Sequence, residues 1–87
     1  MAVEILGELP QPLDGMVREA LCQALNPRPQ KFVVHISWPH AEMIVDVMAP
    51  FGRTLKFNHP QEAEIARELY TTITAIADEE FGPIKAS

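Results

Sequence analysis

Residues 31–58 read KFVVHISWPHAEMIVDVMAPFGRTLKFN, and their pattern decides the fold. Phe32, Val34, Ile36 and Trp38 alternate with Val33, His35 and Ser37. Successive side chains on a strand point to opposite faces, so the alternation predicts a strand over 31–38 with one buried face. MIVDVM, residues 43–48, repeats it with Met43, Val45 and Val47 inward, and RTLKFN, residues 53–58, with Leu55 and Phe57 inward. PHAE and APFG fall between as turns; proline suits the second position of a turn and glycine the fourth. Three neighbouring strands with short connections predict an antiparallel meander.

On either side of the meander the period changes from two to that of a helix. Leu13, Val17, Ala20, Leu21 and Ala24 form one apolar stripe, which predicts a helix over 13–25. Asp14 is its expected N-cap, and Asn26-Pro27 ends it, because a residue before proline avoids the helical region. After the meander, Ile65, Ala66, Leu69, Ile73, Ile76 and Ala77 mark a second helix, from Pro60 to about Glu80. Proline suits a first turn, and Gly82-Pro83 is a stop. Residues 2–6, AVEIL, have the pattern of a short strand, with Val3 and Ile5 on one side. That strand has two available places, beside the meander or across its outer face.

The expectation is a single α+β domain over residues 1–87: a lead-in over 1–12, a core over 13–80 and a tail over 81–87. It is a two-layer sandwich in the order α-β-β-β-α, with an extra N-terminal strand as an option. Each helix has one apolar stripe, so both should lie on one face of the sheet. The shared core would be Phe32, Val34, Ile36, Val45, Val47, Leu55, Phe57, Leu21, Leu69 and Ile73.

The order and length of residues 13–80 resemble a double-stranded-RNA-binding domain, with Pro39-His40 at the position of that family's Pro-His pair after the first strand. The resemblance implies an RNA-binding surface, and here the sequence departs from it. The family has a lysine cluster at the start of the last helix; this chain has NHPQEAEIA over 58–66, with Glu62 and Glu64 and no lysine. Phosphate binding rests on Lys and Arg, and seven of these against twelve Asp and Glu, a net charge of −5, argue against a large nucleic-acid footprint. Arg28, Lys31, Arg53 and Lys56 are the only material for a local basic patch.

Composition excludes further classes. A chain of 87 residues with 47% hydrophobic residues can build one core but no more. Cys22 is the only cysteine, so neither an intrachain disulfide nor a zinc knuckle can form; near the stripe of the first helix it reads as a small apolar filler. No apolar run approaches the roughly 20 residues of a membrane span, and the N-terminus lacks the basic start of a signal peptide, so the expected location is the cytoplasm. Glycine-rich phosphate loops, metal clusters and a nucleophile arrangement are missing, so the expectation is a non-enzyme without cofactor or metal.

What remains is the outer face of the meander: Val33, His35, Ser37, Ile44, Asp46, Met48, Thr54 and Lys56. Asp46 is expected opposite Lys56, with His35 near Asp46 or Ile44. Apolar Val33, Ile44 and Met48 among His35, Asp46 and Lys56 suit a surface that binds another protein or a second copy of the chain; a merely solvated sheet is the plainer alternative. Trp38 would lie at the core rim or anchor a partner. His35 with Asp46 is the one pairing suited to acid–base chemistry, without an evident nucleophile. His40, Glu42, Asn58 and His59 converge on one edge beside the start of the second helix, as a metal site, as an anion site at the helix end, or simply as polar turn residues. Asp78, Glu79 and Glu80 crowd a helix C-terminus, where negative charge is unfavourable, which hints at a basic partner. The functional expectation is a non-catalytic binding module: an accessory subunit, adaptor or inhibitor.

Overall fold

In the structure, a computed structural model that describes residues 3–58 and 61–82, the elements follow in the order β1 (Val3–Leu6), α1 (Leu13–Leu25), β2 (Phe32–Ser37), β3 (Glu42–Ala49), β4 (Arg53–Asn58) and α2 (Glu62–Phe81). A single 3-10 turn, Pro39–Ala41, joins β2 to β3. The sheet order is β1-β2-β3-β4. The last three strands make the expected antiparallel meander, and β1 adds a fourth strand parallel to β2, which makes the sheet mixed. Of the two places open to residues 2–6, the described strand takes the edge beside β2. Val3 lies opposite Phe32 and Ile5 opposite Val34, so its apolar side joins the core.

The period-two pattern translates directly into burial. Phe32, Val34 and Ile36 of β2 and Met43, Val45 and Val47 of β3 are buried on one face. Over them pack Val17, Leu21 and Leu25 of α1 and Ile65, Leu69 and Ile73 of α2. At about 1.5–3 kcal/mol for each large apolar side chain removed from water, this layer is the main source of stability. Leu55 and Phe57 point the same way but are only half-buried, because β4 is an edge strand with a neighbour on one side. Phe51 and Phe81, from the β3–β4 connection and the end of α2, stack edge-on against Phe32 at ring separations of 6.4 and 6.1 Å.

Two polar ties hold the connections. The first closes the β1–α1 loop. Asp14 is not the helix cap that its position suggests: the N-cap is Pro12, and the carboxylate reaches back ahead of the helix. It accepts the Leu9 N–H at 3.0 Å and pairs with Arg18 at 2.9 Å, while Arg18 donates to the Gly7 carbonyl at 2.6 Å. Gly7 itself has φ +90° and lies so close to β2 that a Cβ would fall 2.1 Å from the Ile36 carbonyl oxygen. Only glycine fits both conditions.

The second tie is Arg28, on the α1–β2 connector, which is only 4% exposed. Its guanidinium donates to the Asp78 carboxylate and, at 3.1 Å, to the Gly82 carbonyl, so it caps the C-terminus of α2. Arg53 approaches Glu80 at 3.7 Å. The acidic end of α2 therefore finds basic partners within its own chain, where the sequence suggested an external one.

Removing Asp78 leaves a buried guanidinium without its anion. Asp78→Ala should cost about 2–4 kcal/mol, whereas Glu80→Gln, on a half-exposed pair, should stay within about 0.5 kcal/mol; urea unfolding midpoints separate the two. Asp14 gives a pH signature. Its hydrogen bonds from Arg18 and the Leu9 N–H hold its pKa below the ordinary 3.8. A depressed folded pKa means that its stabilisation is complete above pH 3.8 and is lost as pH falls through the depressed value. The stability gap between the native chain and Asp14→Asn should be full at neutral pH and close as pH falls below that ordinary value. A gap that is the same at both ends would refute the role given to Asp14.

Candidate functional site

The helices cover one face of the sheet, so among the described residues the other is bare. The strand registers arrange its side chains in rows. One row crosses all four strands: Leu6, His35, Asp46 and Thr54. The next holds Ser37, Ile44 and Lys56. Glu4 lies opposite Val33, which faces Ala49 across a register shift that leaves Met48 beside it. Leu6 is 41% exposed and Met48 54%, while Val33 and Ile44 are half-buried between their neighbours.

Asp46 does not face Lys56. It lies opposite Thr54, whose hydroxyl donates to it at 3.2 Å, and Lys56 lies opposite Ile44. β3 runs on to Ala49 along β2, while its pairing with β4 begins only at Val47 and Arg53. Five residues, 48–52, therefore separate the first β3–β4 pair, and the register differs from expectation by two residues. A shift of two keeps every side chain on its face and changes only its partner.

His35 does lie opposite Asp46, yet the two side chains do not bond. The imidazole leans towards β1, with Nε2 3.4 Å from where a Cβ of Gly7 would be, and the carboxylate leans towards β4. Among the described residues the His35 side chain makes no hydrogen bond and no ion pair. An orienting carboxylate for acid–base work would have to hold the ring, and this one holds Thr54.

The other candidate residues separate. Trp38 is half-buried and packs against the core, at its rim. Cys22 is half-buried on α1. Glu42 lies opposite Asn58, as a meander requires, and His40 sits in the turn before it with φ +52°. His59 lies outside the described residues, and among those described no three His, Cys, Asp or Glu side chains gather closely enough for a metal ion. Of the four candidate cations for a basic patch, Arg28 is buried and bound, Arg53 pairs with Glu80, and Lys31 and Lys56 are exposed.

One concavity escaped the sequence. A groove of about 460 Å³ lies between the two helices, lined by Met16, Glu19, Ala20, Gln23, Ala66, Arg67 and Tyr70. Ala20 and Ala66 let the helices leave space between longer neighbours. No run of residues marks it, because its lining residues on the two helices lie more than forty positions apart in sequence; exposed Tyr70 on an otherwise polar face was the only local sign. Among the described residues, no helix is long and apolar enough to cross a membrane.

No protein-family model, curated protein or solved structure matches this chain.

The two faces should respond differently to substitution. Ile36→Ala, in the buried layer, should cost about 3 kcal/mol. Met48→Gln, on the bare face, should change stability by less than about 0.5 kcal/mol. Thermal unfolding of both variants checks the assignment.

Proposed function

We propose that this chain is a small, non-catalytic protein-binding module, an accessory subunit, adaptor or inhibitor of the cytoplasm, that works through the bare face of its sheet. The observation that supports this most is the one-sided coverage. Both helices pack on Val34, Ile36, Val45 and Val47, while on the other side Leu6, Val33 and Met48 form an apolar band beside His35 and Asp46, with Ile44 and Lys56 beyond that polar row. An apolar band with polar groups around it is the usual make-up of a protein contact surface.

Duplex RNA is the less supported alternative. The αβββα order lies within the chain, but Arg28 is committed to Asp78 and Gly82, which removes one of four candidate phosphate contacts. Each lost contact weakens binding and flattens its salt dependence.

A photo-cross-linking amino acid at Met48, compared with one at Tyr70 on the helix side, tests the reading in cells. Protein adducts should form from position 48 and exceed those from position 70. Adducts from position 70 alone, or from neither position, would remove the sheet face as the working surface.

A further inference from the structure

We infer that the occupant of the bare sheet face is a second copy of this chain, packed sheet against sheet about a two-fold axis that runs along the strands between β2 and β3. The inference rests on the binding role of that face and gives it a partner.

Charge placement carries the argument. In the central row, His35 on β2 and Asp46 on β3 lie opposite one another but lean apart, His35 towards β1 and Asp46 towards β4. A two-fold axis in the interface has two orientations that keep the strands roughly aligned, as packed sheets do. An axis across the strands puts β2 over β2 and β3 over β3, and when it passes through this row Asp46 meets Asp46. An axis along the strands puts β2 over β3 of the other copy. His35 then faces Asp46 of the other copy and Asp46 faces its His35, two symmetric hydrogen-bonded pairs flanking the axis. Thr54 holds the lean of Asp46, whereas among the described residues the His35 ring has no partner in its own chain; because β4 of the other copy lies over β1, both leans go to the same side and keep each His35 beside the Asp46 it faces. In the same arrangement Val33 faces Met48 of the other copy, and Leu6 faces Thr54.

The neighbours fit this placement. Around His35 within one chain stand Leu6, Asp46, Ser37 and Gly7, so Asp46 is the only charged group beside it in its row, and that carboxylate is engaged by Thr54 through one oxygen only. Residues of the central strands lie near the axis, so the rotation of about 30° between packed sheets moves them little.

The area sets the strength. Four strands about 4.8 Å apart, at about 3.3 Å per residue, present roughly 400 Å² per copy. A stable complex buries about 800 Å² per partner. The dimer is therefore a weak one that forms with rising concentration.

Sedimentation equilibrium of the full chain from about 10 µM to about 1 mM should show the mass rising from that of one copy towards two. H35D sets a carboxylate against Asp46 of the other copy, and D46K sets an ammonium against His35 of the other copy. Each variant alone should associate at least about tenfold more weakly than the native chain, with unchanged far-UV circular dichroism. Mixed in equal amounts, the two should regain association as a heterodimer, because the H35D carboxylate then meets the D46K ammonium and the other contact is the native His35–Asp46 pair. As a readout that needs no charge change, V33C and M48C in a Cys22→Ser background, mixed and oxidised, should give the heterodisulfide in excess over either homodisulfide.

A native chain that stays monomeric throughout overturns the inference. So does a dimer indifferent to H35D and D46K, or a mixture that regains nothing together with no excess heterodisulfide. These results are separable from the wider reading: a monomer whose position 48 still forms adducts with other proteins loses the dimer and keeps the binding face.

Discussion

The structure depends on a shortage of cover. Two helices, each with a single apolar stripe, can close one face of a four-stranded sheet, and everything else follows from which face they take. Phe32, Val34, Ile36, Met43, Val45 and Val47 are the bulkier, more continuous set, so the helices lie there. Among the described residues no third layer lies on the opposite side. The mixed character of Val33, His35, Ile44, Asp46 and Met48 is then a consequence of position: half of each strand must face outwards, and these residues tolerate both water and contact.

The polar ties are placed where the apolar layer cannot reach. Gly7 to Arg18 closes β1 onto α1, and Arg28 joins the α1–β2 connector to the far end of α2. Both act on chain crossings rather than on the core. Arg28 also answers the charge pattern at the end of α2. Three acids against a helix C-terminus oppose its dipole, and the buried guanidinium beside Asp78, with Arg53 near Glu80, offsets that within the chain. The same commitment explains why the net acidic surface has so little positive charge to show to a nucleic acid.

Much of this was legible in the residues. Helix α1 begins and ends where Leu13 and Asn26-Pro27 place it, and the three meander strands fall within a residue or so of their alternating runs. The inward and outward sets were legible too. The candidate face was therefore known residue by residue, but its rows were not. Asp46 and Lys56 looked like partners because a four-residue turn was assumed, whereas β3 continues past β4 along β2. Asp14 looked like a cap because caps are local; its actual donors, the Leu9 N–H and Arg18, lie on both sides of the helix start. The Arg28–Asp78 bond spans fifty residues, and no spacing rule reaches that far.

By itself, then, the sequence determined which side chains share a face, because alternation along a strand and the period of a helix are properties of the backbone that hold wherever the element is placed. Tertiary structure alone decided which side chains meet. A strand can slip by two residues without moving a single side chain to the other face, so the apolar pattern is indifferent to register, and only the packed connections between strands choose it. That choice put Asp46 beside Thr54 and left the His35 side chain exposed without a bond of its own.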